Sequence, residues 1–195
     1  MNDAVEVRIL GIAPGIESSS HHALDACLSD FAEPEPLQWY AAYTNARHEK
    51  YVAKQLEDRR IDNFLPTYHS VRRWKDRRKE LELPLFPGYV FVHVAGKERL
   101  RVLQVPGVVR FVSFNGRPAA LDNAEIESLK KTAVSGIDTE PHPYLKVGRQ
   151  VRIKHGPLAG MTGILVRKKD KFRLVISVDL IMRSIAAEVQ TADIE

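Results

Sequence analysis

Among 195 residues there is one cysteine, Cys27, so no internal disulfide can form and a reducing compartment is expected. His21 and His22 lie near it, but further ligands at metal spacing are missing, and no metal site is expected. The chain lacks an apolar run of about eighteen residues and a basic-then-apolar leader, which argues against a membrane span and a signal peptide and for a cytoplasmic protein. It also lacks a glycine-rich phosphate loop, and its remaining histidines (His48, His69, His93, His142, His155) are dispersed. Neither catalysis nor a cofactor is expected.

What is present is ample apolar content, 44% of residues, and a charge asymmetry hidden in a net charge of +4. Residues 1–36 carry Arg8 against several carboxylates, together with Pro14, Gly15, Ser18 to Ser20 and the run Glu33-Pro34-Glu35-Pro36. That segment reads as an acidic, largely disordered tail with a short helix around Leu24 to Phe31. The basic remainder suits a polyanionic partner or an assembly built on one.

From Leu37 the pattern becomes regular. Gln38 to Thr44 alternates as a strand, and Asn45 is placed to cap a helix reaching about Arg60, with Val52, Ala53 and Leu56 on its buried stripe. Phe64 to Arg73 and Glu80 to Val94 read as two further strands joined through a charged hairpin tip. A short helix over Lys97 to Gln104 precedes a strand from Val108 to Phe114, which turns at Asn115-Gly116. Asp122 and Glu125 open a third helix in capping-box spacing, with Ile126, Leu129 and Ala133 on one face and Gly136 at its end. The order β-α-β-β-α-β-α is that of a ferredoxin-like α+β domain over residues 37–136. Residues 137–145 read as a linker, and residues 146–195 as a small antiparallel barrel of short strands with glycine turns.

Two clusters carry functional interest. The hairpin tip gathers Arg72, Arg73, Lys75, Arg77 and Arg78 around Trp74, a composition suited to phosphates with an indole for stacking or packing. The stretch LPLFPGYVFVHV interrupts a strand-like run with Pro87-Gly88. Counting alternation through it sets Phe86, Val90, Val92 and Val94 on one face and Tyr89, Phe91 and His93 on the other. Tyr43, Tyr89 and Phe91 are thus expected to form an aromatic surface opposite the helices, unless the last helix or the second domain covers it. Its partner could be a base-stacking RNA or an apolar helix.

Two families share this order. The RNA-recognition motif's third-strand signature partly matches PGYVFVHV: Gly88, Tyr89, Phe91 and Val92 fit, whereas Pro87, Val90 and Val94 replace the basic, small and aromatic positions. Residues 37–195 more fully resemble the NusG-type transcription elongation factors. LQWYAAYTNARHEKYVAKQLE is similar to that family's opening strand and helix, PLFPGYVFV to its most recognisable segment, and VGRQVRIKHGPLAGMTGILV to its KOW motif, with Gly156, Pro157 and Gly163 at the turns of a five-stranded barrel. The resemblance implies that an N-terminal (NGN) domain binds the clamp helices of the RNA polymerase largest catalytic subunit through Tyr43, Tyr89, Phe91 and Phe114. It further implies that Arg47, His48, Lys50 and the hairpin tip face non-template DNA or polymerase, and that the KOW domain has a ribosomal or termination-factor partner. The family carries Phe-Gly-Arg-Ala-Thr where this chain has Ile181-Met182-Arg183-Ser184-Ile185, a departure that resembles specialised RfaH-like paralogues acting on selected operons. A monomeric, non-enzymatic elongation or antitermination factor is expected, with an RNA-binding protein or a ribosome-associated KOW protein as the alternatives.

Overall fold

Gly88, at φ +86°, decides how the polypeptide enters its central sheet. An L side chain disfavours this left-handed region, so glycine allows the tight Phe86 to Tyr89 turn, in which the Tyr89 N–H donates to Phe86 O at 3.1 Å. The computed structural model describes residues 35–73, 78–168 and 171–194. Within it, residues Pro36–Glu195 form one compact unit of mixed α/β structure.

Strands β1 (Gln38–Thr44), β2 (Asp62–Phe64), β5 (Tyr89–Val94) and β6 (Val108–Phe111) make an antiparallel sheet in the order β2-β5-β1-β6. Pro66 separates β2 from β3 (Thr67–Arg73), and β4 (Arg78–Pro84) ends at the Pro84 to Gly88 turn before β5. The two long strands expected from the sequence are therefore each divided. Among the described residues, β3 and β4 pair only with each other, as an arm distinct from the sheet. Past β6, strands β7 (Ser113–Phe114) and β8 (Arg117–Pro118) form a hairpin around Asn115 and Gly116, both at positive φ as a type I′ turn requires. Strand β9 (Ala120–Leu121) then returns to β1.

Helix α1 (Glu49–Asp58) starts later than expected: His48 is its N-cap residue, and Arg47, at φ 64°, breaks the helical path after Asn45. Val52, Ala53 and Leu56 of α1, with Val102 of α2 (Arg99–Leu103), cover Val90, Val92 and Val94 of β5 and Tyr40 and Ala42 of β1. The opposite sheet face carries Trp39, Ala41 and Phe91 and is covered by Leu85, Phe86 and the Ile126 and Leu129 side chains of α3 (Asn123–Val134). Phe86 sits on this second face, against the expected alternation, because the turn at Pro87-Gly88 resets the phase. Its ring meets Phe91 edge-on at 5.6 Å. In α3, Asp122 caps through a 2.9 Å bond from the Ala124 N–H as expected, but the third buried position is Thr132, not Ala133.

The segment read as a linker contains strand β10 (Thr139–His142), which pairs with β14 (Arg183–Val189). The resulting antiparallel sheet runs β10-β14-β13-β12-β11, with β11 (Gln150–Arg152), β12 (Thr162–Lys168) and β13 (Lys171–Val178). Arg173 of β13 is buried and its Nη1 lies 2.9 Å from Glu140 Oε1, which ties β10 to the sheet. Gly163 is in β12 opposite Val151 rather than in a turn. A Cβ there would lie 2.6 Å from Val175 O, so close backbone approach requires the glycine. Gly156, at φ +83°, and Pro157 do occupy a turn, as expected. One apolar cluster continues from Phe91 and α3 into Leu174 and Ile176 of β13 and into Leu158 and Met161 between β11 and β12.

Candidate docking site

Tyr43 and Tyr89 are directly opposed across β1 and β5, and both point to the α3 side of the sheet. Their rings meet edge-on at 5.5 Å, and the Arg110 guanidinium lies 5.6 Å from the Tyr43 ring centroid. Tyr43 is 38% exposed and Tyr89 half-buried. Behind them, a Cβ at residue 88 would come 3.3 Å from Tyr43 Cε2, so the glycine also makes room for the ring.

The turn that holds this pair is fixed by Glu49. Its side chain is 5% exposed at the first turn of α1, and Oε1 accepts the Gly88 N–H at 2.7 Å. Gly88 O in turn accepts the Thr44 N–H at 2.9 Å. A carboxylate at a helix N-terminus that also receives a buried amide is doubly stabilised. Sequence alone does not reveal this role. The only local signal was an acidic residue four positions before the apolar Ala53 stripe, and the partner is remote in sequence.

Phe91 departs from expectation. It is 0% exposed, enclosed by Phe86, Phe64 and the α3 side of the core, and cannot be part of a surface. The helix that ends the first half of the chain covers it. Phe114, by contrast, is 71% exposed on the β7–β8 hairpin. Between the two tyrosines and the second sheet lies a cleft of about 570 Å³, lined by Tyr43, Tyr89, Leu103, Val109 and Arg110 on one side and by Leu180, Ile181 and Met182 on the other.

Among the basic residues, Arg47 and His48 are exposed before α1, with the His48 ring 6.4 Å from that of Tyr51. Lys50 is engaged: its Nζ lies 2.6 Å from Glu82 Oε2, while Glu82 Oε1 accepts the Thr67 hydroxyl at 2.7 Å. Donation from Lys50 and Thr67 holds the Glu82 carboxyl below its ordinary value and fastens the base of the β3–β4 arm to α1. Arg78 is exposed near the end of that arm; the side chains of Arg72 and Arg73, and all of Trp74, Lys75 and Arg77, lie outside the described residues. On α3, Glu125 does not close a capping box. Burial pushes its carboxyl above the ordinary value; the Asp179 N–H donated to it opposes that shift, and the Asp179 and Asp122 charges reinforce it. No group of three or more candidate metal ligands occurs among the described residues.

The family profile described as "Transcription termination factor nusG" matches residues 37–130. The NusG transcription termination/antitermination protein of Staphylococcus carnosus (strain TM300) is 31% identical over 177 residues, covering 81% of this chain and 94% of that protein. The chain belongs to the NusG family. The Staphylococcus aureus (strain Mu50) NusG matches to the same extent, 31% over 177 residues with the same coverage of both chains. In three dimensions the chain resembles the structure titled "Domain interaction in Thermotoga maritima NusG", with a TM-score of 0.51 and 20% identity, covering 82% of this chain and 96% of that one. As a NusG-family member it is a transcription elongation/antitermination factor and not an enzyme. The NusG profile spans the whole sheet that carries Tyr43 and Tyr89 and ends within α3.

Proposed function

We propose that this factor docks on the clamp helices of the RNA polymerase largest catalytic subunit through Tyr43, Tyr89 and Phe114, and thereby favours processive elongation or antitermination. The observation that carries this reading is the cleft beside the edge-on tyrosine pair, where exposed Leu103 and Val109 continue the apolar surface and Phe114 stands on the neighbouring hairpin. Exposed apolar side chains gathered in one place favour a protein partner. Base stacking on the sheet, the mechanism of an RNA-recognition motif, needs an accessible aromatic at position 91, and its burial weighs against that alternative.

In this reading the N-terminal half is a ferredoxin-like NGN domain, which the sheet order β2-β5-β1-β6 with α1 and α2 on one face supports. The C-terminal sheet is a KOW barrel, and β10 belongs to it. Arg47, His48 and the β3–β4 arm face non-template DNA of the transcription bubble, with Lys50 serving first as the anchor of Glu82. The replacement of an aromatic by Ile181-Met182 in the last turn supports a specialised paralogue, acting as a cytoplasmic monomer on selected operons. The test is binding of full-length chain to purified bacterial core RNA polymerase: Tyr43→Ala and Phe114→Ala are each expected to weaken it about tenfold or more with the fold retained. Unchanged affinity in both variants would remove the patch from the account.

A further inference from the structure

The β3–β4 arm leaves the body beside the edge strand β2, with unequal support on its two sides. On the α1 side both oxygens of Glu82 are engaged, by Lys50 of α1 at 2.6 Å and by the Thr67 hydroxyl at 2.7 Å. On the α3 side lies a hollow of about 400 Å³, between Thr67, Tyr68 and Leu85 at the arm's base and Thr132 and Ala133 of α3. We propose that Glu82 is a positioning residue, which fixes the tilt of the arm so that its cations and those before α1 reach one nucleic-acid strand together. The inference rests on the reading that this side of the molecule faces non-template DNA, and it adds the residue that sets the geometry.

Three observations carry it. The first is where the restraint acts. Among the described residues no other hydrogen bond joins α1 to the arm. The Leu85 N–H donates to Pro66 O at 2.9 Å and Tyr68 packs on the apolar cluster beneath α3, but both contacts sit at the pivot and leave the tilt free. Glu82 pairs with His69, two residues outward from the Thr67 to Pro84 pair, and holds the arm from there.

The second is reach. From Thr67 to Arg73 the arm extends about 20 Å at about 3.3 Å per residue. A tilt of about 20° into the hollow displaces its far end by about 7 Å, roughly two nucleotide steps of a DNA strand. Arg78 and Lys79, exposed towards that end, shift by a similar distance relative to Arg47 and His48, exposed before α1. Two groups of cations serve one strand best when their separation is set before binding. The third is charge. A carboxylate opposes the attraction of phosphates and here also occupies Lys50, so charge alone gives Glu82 no use on a nucleic-acid face. The ion pair is half exposed and adds little to global stability, so its loss shows in orientation and not in folding.

Charge and positioning predict opposite signs for Glu82→Gln, which adds one net positive charge and breaks the ion pair. The full chain is titrated against elongation complexes of purified bacterial core RNA polymerase, assembled with or without the non-template DNA strand. The ratio of the two affinities isolates the contribution of that strand, while affinity without the strand and thermal unfolding control for docking and fold. In wild type the strand tightens binding. In Glu82→Gln this gain is expected to fall by about threefold, and the exchanged pair, Lys50→Glu with Glu82→Lys, is expected to restore it. A gain in Glu82→Gln equal to or greater than that of wild type would overturn the positioning role, as would a folded exchanged pair that restores nothing. Absence of any gain in wild type would overturn the DNA-facing reading itself and this inference with it.

Discussion

Replacing Glu49 with alanine removes the acceptor of the Gly88 N–H and strands that amide in the interior, where the donor-to-acceptor distance is 2.7 Å. A hydrogen bond to a charged group contributes about 1.5 to 3 kcal/mol. The loss of a carboxylate from the first turn of α1 adds about 0.3 to 1 kcal/mol. The sum, roughly 2 to 4 kcal/mol, lowers the melting temperature of a unit of this size by about 4 to 16 °C. Thermal and urea unfolding of the full chain measure it, and Glu49→Gln, which keeps an acceptor of the same shape, should lose about half as much. Gly88→Ala strains the same turn by about 1 to 2 kcal/mol through its positive φ. If Glu49→Ala proved as stable as wild type to within about 0.5 kcal/mol, the turn would be held by something other than this bond and the account of how Tyr43 and Tyr89 are positioned would fail.

Phe91→Ala should destabilise the whole unit by about 3 to 5 kcal/mol, seen as an early unfolding transition, in contrast to the fold-neutral loss expected of a surface aromatic. The Glu125 carboxyl is raised above its ordinary value by burial. Its favourable contribution is therefore complete below the unfolded value of 4.5 and is lost as pH rises through the folded value, so Glu125→Gln should raise the melting temperature at neutral pH and flatten the acid side of the profile. Glu82 has the opposite sign: its contribution is present above 4.5 and lost as pH falls through the lowered folded value, so Glu82→Gln should cost a surface-pair amount, about 0.2 to 1 kcal/mol, at neutral pH and nothing in acid. Differential scanning fluorimetry from acid to neutral pH checks both.

Alternation along Tyr89 to Val94 was legible because a strand's period is fixed by its pleat, and the Val90, Val92 and Val94 face lies under α1 as read. The same count failed at Phe86, since the left-handed Gly88 breaks the period and a parity argument cannot cross a turn. Tyr43 and Tyr89 could be assigned to one sheet face by alternation, but Phe91's fate depended on α3, which folds back from about thirty residues later. β10 was hidden by Pro141 and Pro143, residues that favour linkers, because its pairing partner β14 and the Glu140 to Arg173 contact lie more than thirty residues on. Glu49's partner Gly88 was hidden for the same reason: long-range hydrogen bonds leave no local periodicity.

The most direct test of docking places a photo-crosslinking phenylalanine analogue at position 114, where the native ring is 71% exposed and its replacement leaves the core untouched. Irradiated with core RNA polymerase in an elongation complex, the full chain should crosslink to the clamp helices of the largest catalytic subunit, and Tyr43→Ala in the same chain should reduce the yield. Crosslinks confined to nucleic acid or to other polymerase surfaces would contradict the assignment of this face as the helix-docking site.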